Sequence, residues 1–177
     1  DYQDVRIIVL NSNDNLEQQT KYLEDQLKNC TAKWKIVTCH HSVFSPARGR
    51  DFKFARENWK PLLDKYNVDL VLNGHDHTYA RGHVPVRTSD GDTTELGTVY
   101  VTSVSGPKQY GLDRKQILAY KSQGYQSDKT AEQTQFFQVI TVEDNTLSYV
   151  AYTVMGDEYD RATITKDFAS GKKSLED

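Results

Sequence analysis

An α/β layered fold is predicted for this sequence of 177 residues by three observations. β-rich runs alternate with amphipathic stretches from residue 5 to residue 72. The third of these runs, Val68 to Leu72, is apolar on both faces, as in a sheet covered on both sides. From residue 97 onward the strand signals follow one another without helices between them.

Residues 5 to 11 read as a strand. Asp14 or Asn15 is placed to cap a helix, with Glu17 or Gln18 three residues on, the spacing of a capping box. Leu16, Leu23 and Leu27 then recur near helical spacing through residues 16 to 28. Trp34 to Cys39 is a second strand, rich in β-branched residues. Residues 40 to 51 form a loop holding Pro46, Arg48, Gly49 and Arg50. Phe52 to Tyr66 is a second helix, with Phe52, Ala55, Trp59 and Leu62 or Leu63 on one face. Pro61 is expected to kink that helix or divide it in two. With Val68 to Leu72 the order is β-α-β-α-β, the signature of a layered α/β fold. Ligands collect outside the carboxyl ends of such strands. His40 follows the second strand and His75 the third, so the two are expected to lie side by side.

The second half changes character. Val84 to Arg87, Gly97 to Ser105, Gln135 to Glu143 and Thr146 to Val154 read as strands, and Asp144-Asn145 as the tight turn of a hairpin. Residues 106 to 134 read as a long loop with at most short helical turns. Residues 1–167 are expected to form the folded unit, and 168–177 a frayed polar tail.

Composition narrows the function. Apolar residues make up 37% and charged residues 27%, with a net charge of -3 and a pI of about 6.0. No basic stripe appears, which argues against nucleic acid. No apolar run approaches the roughly 20 residues of a membrane-spanning helix. No signal peptide is visible, and the opening Asp-Tyr-Gln-Asp, followed almost at once by a strand, reads like a start inside a longer protein. Cys30 and Cys39 are expected to be unpaired thiols. Asn29-Cys30-Thr31 fits a glycosylation sequon, which matters only in a eukaryotic secreted chain.

Four of the five histidines fall in two clusters, His40-His41 and His75-x-His77. Imidazole is the commonest metal ligand among side chains. Gly74 is expected to supply the special backbone conformation of the turn, and Asp76 to project away or support the loop rather than bind metal. Three histidines are compatible with a single zinc site with an open position, and equally with part of a two-metal hydrolase site. The residues alone do not choose between these.

The stretch Val37-Thr38-Cys39-His40 resembles the V-x-x-H block of the calcineurin-like metallophosphoesterases, and Gly74-His75-Asp76-His77 resembles their G-H-x-H block. The surroundings, "KIVTCHHSVFS" and "PLLDKYNVDLVLNGHDHTYAR", are similar to the purple acid phosphatase branch in particular. The resemblance is specific over about residues 5 to 83. It implies the C-terminal half of a four-layer α/β/β/α sandwich, with the β-α-β-α-β unit followed by a mostly antiparallel β-rich end. It implies that His40 and His75 bind the second, divalent metal and that His77 binds the first. The metals would be iron paired with zinc, manganese or iron. His41 is then placed to donate a proton to the leaving alkoxide or to bind a phosphate oxygen, and Arg48 and Arg50 to bind substrate charge.

The family's earlier blocks, D-x-H or D-x-G, G-D-x-x-Y and G-N-H-[DE], do not occur here. They are expected to belong to a segment preceding Asp1. Gly91-Asp92 and Gly156-Asp157 come after the G-H-x-H block, out of order, and read as ordinary turns. Alone, the chain is expected to be an inactive part of a phosphate monoesterase and to hold a single ion or none. Its apolar sheet face would be covered by the N-terminal half or by a second copy. A phosphodiesterase or nucleotidase of the same superfamily and a non-catalytic binding descendant are the competing classes. The resemblance also implies a periplasmic or extracellular location. Cys39 should pack beneath the site, opposite His40. Tyr79 and Arg81 are expected to shape the rim, and His83 to have a surface or supporting role.

Overall fold

A computed structural model of the chain describes all residues except 88–93, where the Gly91-Asp92 pair falls. Two sheets and a helical layer account for most of the described residues. The first sheet has the order β1-β2-β3-β5-β4-β6. It contains β1 (Val5–Leu10), β2 (Trp34–Cys39), β3 (Leu70–Asn73), β4 (Tyr79–Arg87), β5 (Thr94–Thr102) and β6 (Gln126–Ala131). Strands β1, β2, β3 and β5 are parallel, and β4 runs antiparallel to both β5 and β6. The second sheet is an antiparallel meander, β7 (Phe136–Glu143), β8 (Thr146–Thr153), β9 (Glu158–Lys166) and β10 (Lys173–Glu176). The hairpin turn expected at Asp144-Asn145 joins β7 to β8, and Gly156, with a φ of 91°, sits in the turn before β9.

The helices cover one face of the first sheet. Helix α1 (Leu16–Lys28) buries Leu23 and Leu27 against Ile8, Leu10 and Val37. Its start differs from the capping box expected: Asn15 is the N-cap, in a left-handed conformation, and makes no side-chain capping bond. The second helix answers the Pro61 problem with a π-helical turn at Ala55–Trp59, followed by α2 (Lys60–Lys65). The Lys60 N–H bonds to the Ala55 carbonyl five residues back. This widened turn precedes Pro61, which has no N–H to give, so the helix continues without a break. Ala55, Trp59 and Leu63, four apart, are all buried, and Trp59 Nε1 donates to Thr20 Oγ1 of α1 at 2.8 Å.

The second sheet covers the other face. Trp34, Ile36, Leu70, Val99 and Val101 pack against Phe136, Leu147, Tyr149 and Ile164. The sheet face expected to need an outside cover is therefore largely covered by the chain itself, because β7 to β10 fold back over it. Ile7 and Val9 of the edge strand β1 remain 55% and 66% exposed.

The polar tail expected over 168–177 instead carries β10. Lys173 is buried, and its Nζ lies 3.3 Å from Asp69 Oδ1 while donating to the Val68 carbonyl at 2.8 Å. Residues 106–134 carry the short helical turns expected there, α3 (Arg114–Ala119) and a 3-10 turn at Tyr120–Gln123, and in addition β6, which was not expected.

Strand β4 is irregular between His83 and Pro85 in its pairing with β5. Gly97 of β5 lies against that irregularity, and a Cβ there would meet the Val84 carbonyl oxygen at 2.2 Å. The contact is with backbone, so it cannot be relieved by a side-chain rotation. Gly97→Ala is expected to destabilise the fold by about 1–3 kcal/mol, the usual range for overpacking, measured as a lower midpoint in chemical denaturation.

Candidate metal centre

The two histidine clusters sit at the carboxyl ends of β2 and β3, which are hydrogen-bonded neighbours. Asn73 fastens the two loops together. Its Nδ2 donates to the Cys39 carbonyl at 3.0 Å, and its Oδ1 accepts from Val43 N at 3.3 Å. Gly74 N donates to the His40 carbonyl at 3.0 Å. Gly74 does not carry the unusual backbone expected of it. His75 and His77 do so themselves, with φ of 66° and 51°. Left-handed backbone at non-glycine residues is a local strain, and such strain gathers at functional sites.

This turn places His75 Nδ1 3.1 Å from His40 Nε2, with ring centroids 5.0 Å apart. Arg50 Nη1 lies 2.8 Å from His75 Nε2. A guanidinium only donates, so His75 Nε2 accepts, and the proton of the neutral ring lies on Nδ1, between the two histidines. Burial first, then the positive neighbours His41, Arg50, His40 and His77, pushes the His75 pKa down to about 4. Neutral imidazole binds metal through its unprotonated nitrogen, so a metal at Nδ1 would require the ring proton to move to Nε2 and the Arg50 contact there to open. The pair fits an ion: at metal–nitrogen distances of about 2.1 Å, a 3.1 Å separation corresponds to an angle of about 95° at the metal.

His77 is held differently. Its Nδ1 lies 2.8 Å from the Lys108 carbonyl, and its ring packs 4.9 Å from Tyr110. A histidine that gives one ring N–H to a backbone carbonyl is oriented to present its other nitrogen to a metal. Among the described residues, no set of three or more His, Cys, Asp or Glu side chains gathers as a site for one ion. The three histidines therefore do not assemble the single three-histidine zinc site.

The His41 ring packs against His75 with centroids 4.2 Å apart and the planes tilted by 51°, and Ser12 Oγ bridges to it, 2.9 Å from His41 Nδ1 and accepting from His41 N at 3.1 Å. Burial, then the charge of His40, lowers its pKa. His41, His75, Arg50, Ser12 and Phe52 line one cavity of about 260 Å³. Asp76, just behind, is buried with Ser42 and Ser45; burial raises its pKa, partly offset by those hydroxyls. Cys39 lies beneath, with burial pushing its thiol up to about 12, and both cysteines are free.

The two arginines of the loop separate. Arg50 joins the cavity, while Arg48 lines a neighbouring one. Tyr79 and Arg81 are not at the rim. Both are buried, bound to Asp160 by Tyr79 Oη at 2.6 Å and by Arg81 Nε at 2.8 Å, and they tie the two sheets together. His83 lies in a separate cavity of about 560 Å³, with Nδ1 2.9 Å from Asp128. Ser12, Asn73 and Tyr110 went unnoticed in the sequence. Only the fold brings Ser12 to His41 across 29 residues and Tyr110 to His77 across 33.

A calcineurin-like phosphoesterase family model matches residues 2–79, the stretch that carries both histidine blocks. Purple acid phosphatase 17 of Arabidopsis thaliana is 46% identical over 55 residues, 31% of this chain and 16% of that one. Purple acid phosphatase 4 of the same plant is 29% identical over 140 residues, 76% of this chain and 35% of that one. The purple acid phosphatase PPD1 from yellow lupin seeds shares the fold, with a TM-score of 0.68 at 20% identity, over 96% of this chain and 32% of that one. The chain thus spans about a third or less of these relatives. The paired blocks and the match over residues 2–79 make this stretch similar to the calcineurin-like phosphoesterases. The purple acid phosphatases are the relatives that support the purple acid phosphatase-like resemblance.

Proposed function

We propose that the complete protein is a dinuclear-metal phosphatase that hydrolyses phosphate monoesters. The observation that carries this reading is the 3.1 Å approach of His40 Nε2 and His75 Nδ1 at adjoining strand ends. His40 and His75 hold the divalent ion, and His77 the first metal, iron with zinc, manganese or iron as its partner. The remaining ligands, including an aspartate, would come from outside residues 1–177, and these residues alone do not turn over. Bound there, two cations would neutralise the phosphate and lower the pKa of the attacking water. His41, with Nδ1 engaged by Ser12, keeps its other ring nitrogen for a phosphoryl oxygen or for the proton that the leaving alkoxide needs. Arg50 supplies a planar charged donor to the phosphoryl oxygens from the same cavity. An exported location, periplasmic or extracellular, accompanies this reading.

The test is metal analysis of the full-length protein with hydrolysis of an aryl phosphate. A metal-loaded protein that hydrolyses no aryl phosphate would refute the proposal, and a preference for a bis-aryl phosphate would make it a diesterase instead. His41→Ala is expected to lower kcat by about 10²–10⁴-fold, the range for general acid catalysis, with bound metal unchanged.

A further inference from the structure

Two segments are joined beside the histidines. Arg48 N donates to the Gly111 carbonyl at 3.1 Å and Asp113 N to the Pro46 carbonyl at 2.8 Å. Ala47 and Leu112 form an isolated bridge. Gln116 Nε2 donates to the carbonyls of Ser45 and Arg50, both at 2.8 Å. The resulting ledge has two working faces. On the first, Arg50 touches His75 and donates to Tyr110 Oη at 3.0 Å, and Tyr110 packs on His77. The second borders a cavity of about 580 Å³ lined by Arg48, Arg114 and Lys115.

These three cations are exposed, and among the described residues their side chains make no hydrogen bond or ion pair, unlike Arg50, Arg56 and Arg81. Two carboxylates, Asp113 and Glu132, also line the cavity, and one oxygen of each is held by a backbone N–H. Asp113 Oδ1 accepts from Gln116 N at 3.0 Å, and Glu132 Oε2 accepts from Leu112 N at 2.7 Å. Arg48 and Arg50 are two residues apart, so their Cα atoms lie within about 7 Å. Between them Gly49, with a φ of 72°, takes a backbone that glycine adopts without strain, and the two arginines serve different cavities.

We propose that the Arg48–Arg114–Lys115 cavity is a second anion subsite, which takes a further phosphate of a substrate whose first phosphate lies at the histidines. The substrate class is then phosphate esters or anhydrides that carry a second phosphoryl group. The inference of class rests on the phosphatase reading; the anion site itself does not. The guanidinium fork matches phosphate oxygens in pairs, and no existing ion pair has to break before an anion enters.

The probes are inorganic tripolyphosphate and orthophosphate, titrated by calorimetry into the full-length protein and its Arg114→Gln/Lys115→Gln variant. Tripolyphosphate is expected to bind more tightly than orthophosphate, and the double variant to lose about 10-fold or more of that affinity, since it removes two charge-assisted contacts. In turnover, the kcat/KM ratio of a nucleoside triphosphate to an aryl monophosphate is expected to fall by a similar factor. Equal affinity for the two anions, or affinity and ratio both untouched by the double variant, overturns the subsite. If no phosphate ester is hydrolysed while tripolyphosphate binding still depends on Arg114 and Lys115, the phosphatase reading fails and the anion site stands.

Discussion

His75→Ala in the full-length protein is expected to remove one bound metal ion and most of the aryl phosphatase activity. Its Nδ1 is the atom that faces His40 Nε2, at 3.1 Å. Loss of an outer partner of a metal ligand typically costs about 10–100-fold in affinity or activity, so loss of the ligand itself should exceed that. Elemental analysis and the rate should fall together, while the circular dichroism spectrum stays that of the wild type. His83→Ala, in the separate cavity beside Asp128, is the matched control and should change neither reading. Wild-type metal content in His75→Ala would show that His75 is not a ligand.

The largest loss of stability is expected from Asp69→Ala. Asp69 is fully buried at the start of β3. Its Oδ2 accepts from Lys35 N at 2.8 Å, Lys166 Nζ lies 2.9 Å from Oδ1, and Lys173 Nζ lies 3.3 Å from the same oxygen. Removing the carboxylate strands two buried ammonium groups, a change that costs about 3–5 kcal/mol. For a chain of this size that lowers the melting temperature by about 6–20 °C. Lys173→Met should be far milder, because Lys166 still pairs with Asp69. It also provides a pH signature. Burial, only partly offset by Asp69, lowers the Lys173 pKa to about 8 from its usual 10.5. Between those two values the unfolded chain binds more protons than the folded one, so this lysine makes stability rise with pH across the window. Wild type should therefore gain on Lys173→Met as the pH rises from about 8 toward 10.5. Parallel stability curves for the two proteins would contradict the lowered pKa.

The first three strands and both histidine clusters were legible because two simple rules apply there. Buried parallel strands are apolar throughout, as at Val68 to Leu72, and ligands gather where such strands end. Strand β6 was not legible because its sequence, Gln-Ser-Asp-Lys-Thr-Ala, carries no apolar alternation; its place comes from pairing with β4. β10 was hidden for a related reason. Lys173 reads as a solvated tail residue until Asp69, 104 positions earlier, is seen to receive it. The strained backbone of the G-H-x-H turn escaped because Gly74 is the residue that composition points to, whereas the left-handed angles fall on the histidines. The support of His77 by Lys108 and Tyr110 crosses over thirty residues and has no local signal.

That turn has a further consequence for any effort to make the protein more robust. His75 and His77 occupy a backbone conformation that favours glycine, and their nearby asparagine or glycine replacements would relax it. A library of variants ranked by heat resistance alone should therefore enrich substitutions at these two positions, and the hardiest survivors would lack the two imidazoles proposed to hold metal. A useful selection would have to demand metal retention and endurance together.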